Sequence, residues 1–235
     1  MPVLDHSKYD TRNYPIVEAA VGYAQWAKTY EQIVQDEMDL RLLQRLESVI
    51  WADQERVLDL ACGTGRIGSW IRQRSSVLID GLDLTPEMLN LARRSGNYRA
   101  LINADLRNTG LCDAFYDLCI QSLADEHLPS LRPLYQEAAR VTRPQGMFVI
   151  TGLHPQFFMI TGMPTHFERA SGERVTIRTY VHLFSDHVAA AVDSGWRLQE
   201  MHEGLVDDAW LKRKPKWKKY EGLPISYVMV WLKEA

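Results

Sequence analysis

The stretch VLDLACGTGR, residues 57–66, constrains the fold of this chain more than any other feature of its sequence. An apolar run ends in Asp59, and two glycines, Gly63 and Gly65, precede a segment of helical character. Glycine lets a backbone turn tightly and approach a ligand without a Cβ in the way. The free N–H groups at the start of the next helix favour the anionic end of a ligand. The pattern predicts a strand–loop–helix unit for a nucleotide-like ligand, and the acid beside the helix start favours a zwitterion.

A dinucleotide site is the alternative interpretation of the same loop. Gly63, Gly65 and Gly68 match G-x-G-x-x-G, and Asp83 follows at about the spacing of a ribose-binding acid. Two features disfavour it: Asp59 would repel a pyrophosphate, and the first predicted strand begins only at residue 56, after a mainly helical pattern. A P-loop is excluded, because no Gly-Lys-Ser/Thr closes the loop.

Strands and helices alternate after this loop. Thr85 and Pro86 form a helix start signal, since Thr can cap free N–H groups and Pro suits the first helical position. Further helices are predicted over 64–74 and 131–142. This alternation predicts a doubly wound, mostly parallel sheet. The predicted strands lie near 56–60, 77–83, 99–103, 116–121, 146–153, 197–205 and 226–233.

Flanking segments depart from simple alternation. Residues 16–50 are interpreted as two helices, in which Leu42, Leu46, Val49 and Ile50 form one apolar stripe. Residues 174–184 alternate between apolar and polar side chains and predict a small β cap, after which a helix starts with Ser185 as its N-cap. The expected organisation is a helical lid (1–50), an α/β core (51–154), a substrate cap (155–184) and the C-terminal part of the core sheet (185–235).

Composition narrows the class of protein. A chain of 235 residues suffices for one α/β domain with an added cap. The net charge of −3 predicts no general attraction to nucleic acid or to an anionic membrane. No apolar stretch has the length of a signal peptide core or of a membrane span, and the three cysteines form no C-x-x-C pair. We expect a cytoplasmic protein without integral membrane association, and the sequence does not indicate its oligomeric state.

Five motifs, in order and at natural spacing, carry a resemblance to a known family: DLACGTG (59–65), GLDLTPEML (81–89), NADL (103–106), YDLCIQSL (116–123) and EAARVTRPQG (137–146). Together they resemble the motifs of class I S-adenosylmethionine (SAM)-dependent methyltransferases. The resemblance runs from about residue 20 to the C-terminus. Gln145 departs from the pattern, since the family usually has glycine there, but it belongs to a structural turn.

The resemblance implies a Rossmann-like fold with a seven-stranded sheet, SAM as cofactor and S-adenosylhomocysteine as product. Asp83 would accept hydrogen bonds from both ribose hydroxyls, Asp105 from the adenine amino group, and Asp59 would reach the ammonium group. The aromatic segment 22–30 would fold over the cofactor; the alternative is an aromatic stripe that packs this helix onto the sheet. The residues expected to contact the cofactor are Tyr23, Tyr30, Asp59, Ala61, Gly63, Gly65, Asp83, Leu84, Met88, Asp105, Leu106 and Gln121.

Histidines at strand ends and in the cap are candidates for a general base, which methyl transfer needs when the acceptor must lose a proton. His154 is the first choice because it follows the fifth strand, and His182 and His127 are alternatives. These histidines show no metal-ligand spacing, so no metal site is predicted. The aromatic cap suits a small organic acceptor. The residues expected to contact it are Phe158, His166, Arg178 and Tyr180.

The segment 212–219 carries six basic residues and no acid, with Trp210, Trp217 and Tyr220 in or beside it. A solvated hairpin loop is the default interpretation. An alternative is that it grips RNA or a protein substrate by charge and stacking, although the rest of the chain provides no basic field. A second alternative is a SAM-binding protein without transfer activity.

Overall fold

The computed structural model describes residues 3–33 and 38–234 of the chain. Its strands are β1 (Ile16–Val17), β2 (Arg56–Leu60), β3 (Leu78–Asp83), β4 (Ala100–Asn103), β5 (Tyr116–Ser122), β6 (Thr142–Leu153), β7 (His166–Glu168), β8 (Arg174–Ile177), β9 (Trp196–Leu205) and β10 (Pro224–Lys233). Its α-helices are α1 (Ala19–Trp26), α2 (Tyr30–Ile33), α3 (Met38–Leu43), α4 (Arg66–Arg72), α5 (Pro86–Ser95), α6 (Arg132–Val141), α7 (Pro155–Thr161), α8 (Phe184–Val192) and α9 (Asp208–Arg213).

The main sheet has the predicted architecture. Within the described ranges, seven strands pair in the order β4-β3-β2-β5-β6-β10-β9. The first five run parallel, whereas β10 is antiparallel to both β6 and β9. Strand order reverses at β2, which lies between β3 and β5, and in open α/β sheets ligands bind beyond the carboxyl ends of the strands at such a point. The glycine loop follows β2 directly, so the fold places it at that position.

Helices cover both faces of this sheet because the central strands are apolar on both sides. Val57 packs in the layer that contains α3 and α4, whereas Leu58 and Leu60 pack in the layer that contains α6 and α8. This is the two-residue alternation of a strand, here with both faces buried. The predicted doubly wound, mostly parallel sheet is confirmed. None of the helices in the described ranges has the length and apolar character that crossing a bilayer requires.

The N-terminal segment differs from the two predicted helices. Helix α3 ends at Leu43, so Leu46, Val49 and Ile50 do not continue a helical stripe, and Ile50 is 58% exposed. The backbone after α3 is instead held by the edge strand β9. The carboxylate of Glu200 accepts hydrogen bonds from the N–H groups of residues 47 and 48, at 3.0 and 2.8 Å. The predicted continuous stripe was wrong because this long-range contact takes precedence over local periodicity.

A smaller sheet lies beside the main one and joins the N-terminal segment to the region after β6. Its order is β1-β8-β7, with β1 parallel to β8 and β8 antiparallel to β7. Trp26 of α1 stacks on Phe167 of β7, with ring centroids 5.4 Å apart. The alternating segment forms a strand only over β8. The next helix starts two residues earlier than predicted: its N-cap is Leu183 rather than Ser185. The N–H of Leu183 donates to the Asp186 carboxylate at 2.9 Å.

Two local details follow from the sequence signals. Helix α5 begins with Thr85 as N-cap and Pro86 in its first turn, as predicted, although the Thr85 side chain makes no capping hydrogen bond. Gln145 has a φ of 61°, in the left-handed region that glycine adopts without strain. The residue that departs from the family pattern therefore occupies a conformation suited to glycine, at a cost of about 1–2 kcal/mol.

Candidate functional site

A cavity of about 360 Å³ lies at the carboxyl ends of the parallel strands, beneath α1 and beside α5. Its wall combines carboxylates, aromatic side chains and the glycine loop. The volume falls in the range of small-molecule sites. Of the residues predicted from sequence to form the site, the following line this cavity: Tyr23, Tyr30, Ala61, Gly63, Leu84, Asp83, Met88, Asp105, Leu106, His127 and Tyr180.

Asp83 connects the glycine loop to the start of α5. Its Oδ2 accepts a hydrogen bond from the N–H of Gly63, and its Oδ1 accepts one from the N–H of Thr85, both at 2.8 Å. Burial raises the pKa of Asp83 above its usual value, and the two N–H donors oppose that shift. A buried carboxylate oxygen retains further lone pairs after one such bond. Asp83 can therefore hold the loop and still accept hydrogen bonds from a ligand.

Asp105 lies near the end of β4, at another part of the cavity wall. The Arg107 guanidinium donates to both of its oxygens, through Nε to Oδ1 at 2.9 Å and through Nη2 to Oδ2 at 2.6 Å. These hydrogen bonds lower the pKa of Asp105. Leu106, which is buried, provides an apolar surface next to this ion pair. The site therefore offers an anionic acceptor with an adjacent flat, apolar contact.

Arg66 and Asp39 form an ion pair at the cavity, and neither residue was among those predicted from the sequence. Arg66 lies in the first turn of α4 and donates to both oxygens of Asp39, at 2.8 and 2.5 Å. Asp39 is fully buried and also accepts a hydrogen bond from the Ser122 hydroxyl. Burial opposes the charge of Arg66, but Asp39 raises its pKa above the usual value. Arg66 directly follows the glycine loop in the sequence, and this position could have predicted it as a site residue. No local sequence signal indicated that Asp39 would be its partner.

His127 is the one predicted base that lines the cavity, and its tautomer follows from its contacts. Its Nδ1 lies 2.8 Å from the Arg178 carbonyl oxygen, to which only an N–H can donate. Its Nε2 is then the acceptor for the Tyr23 hydroxyl, at 2.9 Å. Burial lowers the pKa of His127 to about 4, so the imidazole is neutral near pH 7. The Glu126 carboxylate lies 3.8 Å from the same Nε2.

Helix α1 and the start of α2 supply the aromatic wall predicted for the N-terminal segment. The Tyr23 and Tyr30 ring centroids are 6.1 Å apart, and Trp26 packs edge-on against Tyr30 at 4.9 Å. Burial raises the pKa of Tyr30 to about 12, so its hydroxyl stays protonated. The wall therefore presents hydroxyl groups and ring faces to the cavity.

The other predicted histidines lie elsewhere. His154 is the N-cap of α7: its Nδ1 accepts the N–H of Gln156 at 3.1 Å, and its Nε2 lies 2.8 Å from Glu203. The Nε2–H of His182 donates to a backbone carbonyl, and His166 lies between another carbonyl and an arginine. None of these three side chains lines the cavity. Their ring nitrogens make hydrogen bonds that stabilise the fold.

Three more predicted site residues are placed outside the cavity. Arg178 pairs with Glu18 at 2.6 Å, so its charge is already neutralised. Phe158 is buried against the His6 ring, 5.5 Å away between centroids. Gln121 is buried, and its amide oxygen is best oriented to accept the N–H groups of the loop after β5. These side chains stabilise the surroundings of the site.

Asp59 and Gly65 lie behind the glycine loop. Asp59 is 1% exposed, and its Oδ2 accepts a hydrogen bond from the Tyr98 hydroxyl at 2.6 Å. Burial raises the pKa of Asp59 to about 7. Gly65 has a φ of 88° and is the N-cap of α4, on the side of the loop away from the main cavity. The structure thus places the motif acid in contact with another side chain rather than in the cavity wall.

The basic segment is ordered structure rather than a simple hairpin loop. It comprises the end of α9 and a 3₁₀ helix over Pro215–Tyr220, and it links β9 to β10. Trp210 is 2% exposed, and Trp217 stacks on Phe157 with centroids 5.2 Å apart. Since β10 is antiparallel to β6, this connection lies at the same sheet edge as the carboxyl ends of the parallel strands. Its lysines and the cavity therefore lie at one end of the molecule.

Comparison with known sequences gives a family and relatives. Residues 58–150 match the sequence model of the family described as "Methyltransferase domain". A malonyl-[acyl-carrier protein] O-methyltransferase of Hamiltonella defensa is 32% identical over 136 residues, covering 57% of this chain and 51% of that protein. A demethylmenaquinone methyltransferase of Thermotoga maritima is 29% identical over 120 residues, covering 50% of this chain and 52% of that protein. The chain therefore spans about half the length of these curated relatives.

Comparison with solved structures concerns the fold. An S-adenosylmethionine dependent methyltransferase from Mesorhizobium loti superposes with a TM-score of 0.67 at 22% identity, covering 85% of this chain and 99% of that one. The [4+2]-cyclase SpnF superposes with a TM-score of 0.64 at 15% identity, covering 94% of this chain and 99% of that one. The same architecture thus serves proteins described by different activities, and the activity has to be argued from the site.

Proposed function

We propose that this chain, a member of the class I SAM-dependent methyltransferases, transfers a methyl group from SAM to a small organic acceptor. The observation that carries the proposal is the composition of one cavity. Asp83 and Asp105 lie at the ends of adjacent parallel strands, Gly63 lies between them and α4, and the Tyr23–His127 pair lies opposite. This arrangement provides acceptors for a nucleoside on one side and a proton acceptor on the other.

SAM supplies a methyl group that is activated by the positive charge of its sulfonium. On the nucleoside side, Asp83 would accept hydrogen bonds from the ribose hydroxyls, and Asp105 from the adenine amino group beside Leu106. The positive end of the α4 dipole, at the start of that helix, favours the carboxylate end of the ligand. Holding the two reactants in line is worth about 7–11 kcal/mol in favourable cases.

On the acceptor side, Tyr23 and His127 would move one proton. The acceptor oxygen or nitrogen bonds to the methyl carbon as the carbon–sulfur bond breaks, and its proton passes to the Tyr23 oxygen. The Tyr23 proton moves at the same time to Nε2 of His127, which is held as an acceptor by the Arg178 carbonyl. Burial raises the pKa of Glu126 to about 7, and in its ionised form this carboxyl, 3.8 Å from Nε2, favours the imidazolium that forms. General base catalysis of this kind contributes about 10²–10⁴-fold.

Release of S-adenosylhomocysteine from SAM, measured with a panel of hydroxyl- and amine-bearing small molecules, tests the proposal. We expect His127→Asn to lower kcat by about 10²–10⁴-fold with unchanged affinity for S-adenosylhomocysteine. His154→Asn is the matched control, because Asn can also cap α7 and the side chain lies outside the cavity. Equal losses in both variants would contradict the base assignment, and wild-type protein that binds SAM without turnover would favour a binding protein.

A carrier-borne acceptor is a second candidate, favoured by the position of the basic segment and by the names of the curated relatives. Lys212 and Lys216 lie at the same end of the molecule as the cavity and are exposed, whereas the neighbouring Lys218 pairs with Glu221 at 2.7 Å. An acidic carrier protein that docks on them would present its acyl group to the cavity. With malonyl-acyl carrier protein as substrate, Lys212→Glu/Lys216→Glu should raise KM, most strongly at low salt. Unchanged KM would remove this candidate, and salt-dependent binding of mixed RNA would favour a nucleic acid substrate instead.

A further inference from the structure

Tyr98, between α5 and β4, occupies the space that three glycines leave open. A Cβ added at Gly68 would lie 2.5 Å from the Tyr98 hydroxyl oxygen. Cβ atoms added at Gly65 and Gly81 would lie 2.9 and 2.8 Å from carbons of the same ring. Carbon atoms pack at about 3.5–4.0 Å, so none of these positions accepts a side chain while the ring is in place. The third glycine of G-x-G-x-x-G, Gly68, therefore accommodates a tyrosine of this chain.

The hydroxyl of Tyr98 joins the end of β2 to the first turn of α4. It donates to Asp59 Oδ2 at 2.6 Å and accepts the N–H of Gly68 at 3.2 Å. Asp59 lies in β2 and Gly68 in α4, and the glycine loop is the connection between these two elements. One side chain thus fixes both ends of the loop that borders the cavity.

The charge on Asp59 depends on the groups that face it. These are the Tyr98 hydroxyl, the carboxylate of Asp83 at the end of β3, the guanidinium of Arg66 on α4 and the thiol of Cys62 in the loop. Burial raises the pKa of Asp59 to about 7 and Asp83 adds to that shift, whereas Tyr98, Arg66 and the backbone N–H of Gly68 oppose it. Near neutral pH, a single hydrogen bond therefore changes the fraction of Asp59 that is ionised.

We propose that Tyr98 is a positioning residue of the cofactor site, whose ring sets the spacing of the glycine loop and whose hydroxyl favours the anionic form of Asp59 behind it. The negative charge favours a ligand with an ammonium group in the cavity in front of the loop. The inference rests on the proposed function, because the ligand in question is SAM or S-adenosylhomocysteine. Tyr98 touches neither the cavity nor the reacting atoms and acts through Asp59 and the loop.

Calorimetric titration of S-adenosylhomocysteine into wild-type protein and Tyr98→Phe, from pH 6.5 to 9, tests the proposal. Phenylalanine keeps the ring among the glycines and removes only the hydroxyl. Loss of the hydrogen bond raises the Asp59 pKa further, so the ratio of variant to wild-type Kd should be about tenfold at pH 7 and approach one at pH 9. A ratio of one at every pH would overturn the proposal, and so would a constant ratio above one, which describes a purely structural effect.

Tyr116→Phe is the matched control. Its hydroxyl also donates to a buried aspartate of the sheet, Asp80, at 2.9 Å, but neither residue lines the cavity. We expect this variant to leave the Kd for S-adenosylhomocysteine unchanged at every pH.

A ligand-independent measurement separates this inference from the proposed function. In the ligand-free protein, ¹³C NMR of the Asp59 carboxyl should show a higher titration midpoint in Tyr98→Phe than in wild type. An unchanged midpoint would overturn the role of Tyr98 even if S-adenosylhomocysteine binds well. A raised midpoint in a protein that binds neither SAM nor S-adenosylhomocysteine would support the Tyr98–Asp59 interaction and overturn the proposed function.

Discussion

Asp83→Asn tests the nucleoside side of the site with the smallest change of shape. Asp83 is 7% exposed, and each of its oxygens accepts one backbone N–H at 2.8 Å. Asparagine keeps the volume but offers one oxygen and one NH₂ group. It can satisfy the N–H of Gly63 or that of Thr85, but not both. The same NH₂ group replaces one of the two acceptors expected to face the ribose hydroxyls.

The magnitude follows from the number of charged hydrogen bonds lost to the ligand. A hydrogen bond to a charged group contributes about 1.5–3 kcal/mol net. Losing one such bond to a ribose hydroxyl should weaken S-adenosylhomocysteine binding by about 10–150-fold, since each 1.4 kcal/mol is about a factor of ten. The N–H left without an acceptor in the loop destabilises the fold by about 1–3 kcal/mol in addition.

Calorimetric titration with S-adenosylhomocysteine measures the affinity without knowledge of the acceptor. Asp80→Asn is the matched control, because Asp80 is a buried acid on the same strand whose partners are Arg99 and Tyr116. Both variants should lose stability in thermal unfolding, but only Asp83→Asn should lose affinity. Wild-type affinity in Asp83→Asn, or an equal loss in the two variants, would refute the ribose-binding role.

Three further outcomes are expected for stability. Burial lowers the pKa of His127 to about 4, so as the pH drops from 6.5 this histidine is protonated in the unfolded chain before it is protonated in the folded one, and the free energy of unfolding should fall. Urea unfolding at pH 7 and pH 5 measures this fall, which should be smaller in His127→Asn. Burial opposes the charge of Glu137, but hydrogen bonds from Arg140 and Thr109 lower its pKa to about 2. Its contribution to the free energy of unfolding is therefore present above pH 4.5 and is lost as the pH falls toward 2. Glu137→Ala leaves the Thr109 N–H without its acceptor and should cost about 1–3 kcal/mol at pH 7, and an unchanged urea midpoint would contradict this. Gly68→Ala should destabilise by about 1–3 kcal/mol, because its Cβ would lie 2.5 Å from a tyrosine hydroxyl; a wild-type melting temperature would show that the ring can move away.

The core sheet was predictable because its strands carry local signals. The segments that became β2 and β3 are apolar runs that end in an acid and are followed by glycine or Thr-Pro turn signals. Strand β1 had no such signal. It consists of two residues, and its pairing partner β8 lies far away in sequence, so only the folded chain defines it. The segment after α3 is likewise bound by Glu200 of a distant strand, which no local signal indicated.

The placement of the carboxylates and the glycine loop at the cavity was predictable for the same reason, and the placement of the histidines was not. Asp83 is the last residue of β3, and Gly63 and Asp105 lie within three residues of the ends of β2 and β4, so strand position fixes where they lie. The same argument, from a position at a strand end or in the cap, was applied to the histidines. Hydrogen-bond partners that are distant in the sequence, however, determined what each ring contacts. His154 became a helix cap paired with Glu203, whereas His127 was fixed toward Tyr23 by a carbonyl 51 residues away.

The charges around the cavity discriminate between the two candidate acceptors. Among the described residues that line it, the arginines are Arg66 and Arg107, and each already donates to both oxygens of an aspartate. A carboxylate acceptor, as on a malonyl group, would have to break one of these pairs or enter beside Asp83 without a counter-charge. A hydroxyl or amine needs no cation and has a proton to give to the Tyr23–His127 pair. The electrostatics of the cavity therefore favour a neutral acceptor that loses a proton, and efficient methylation of a free carboxylate would show that Arg66 or Arg107 changes partner when substrate binds.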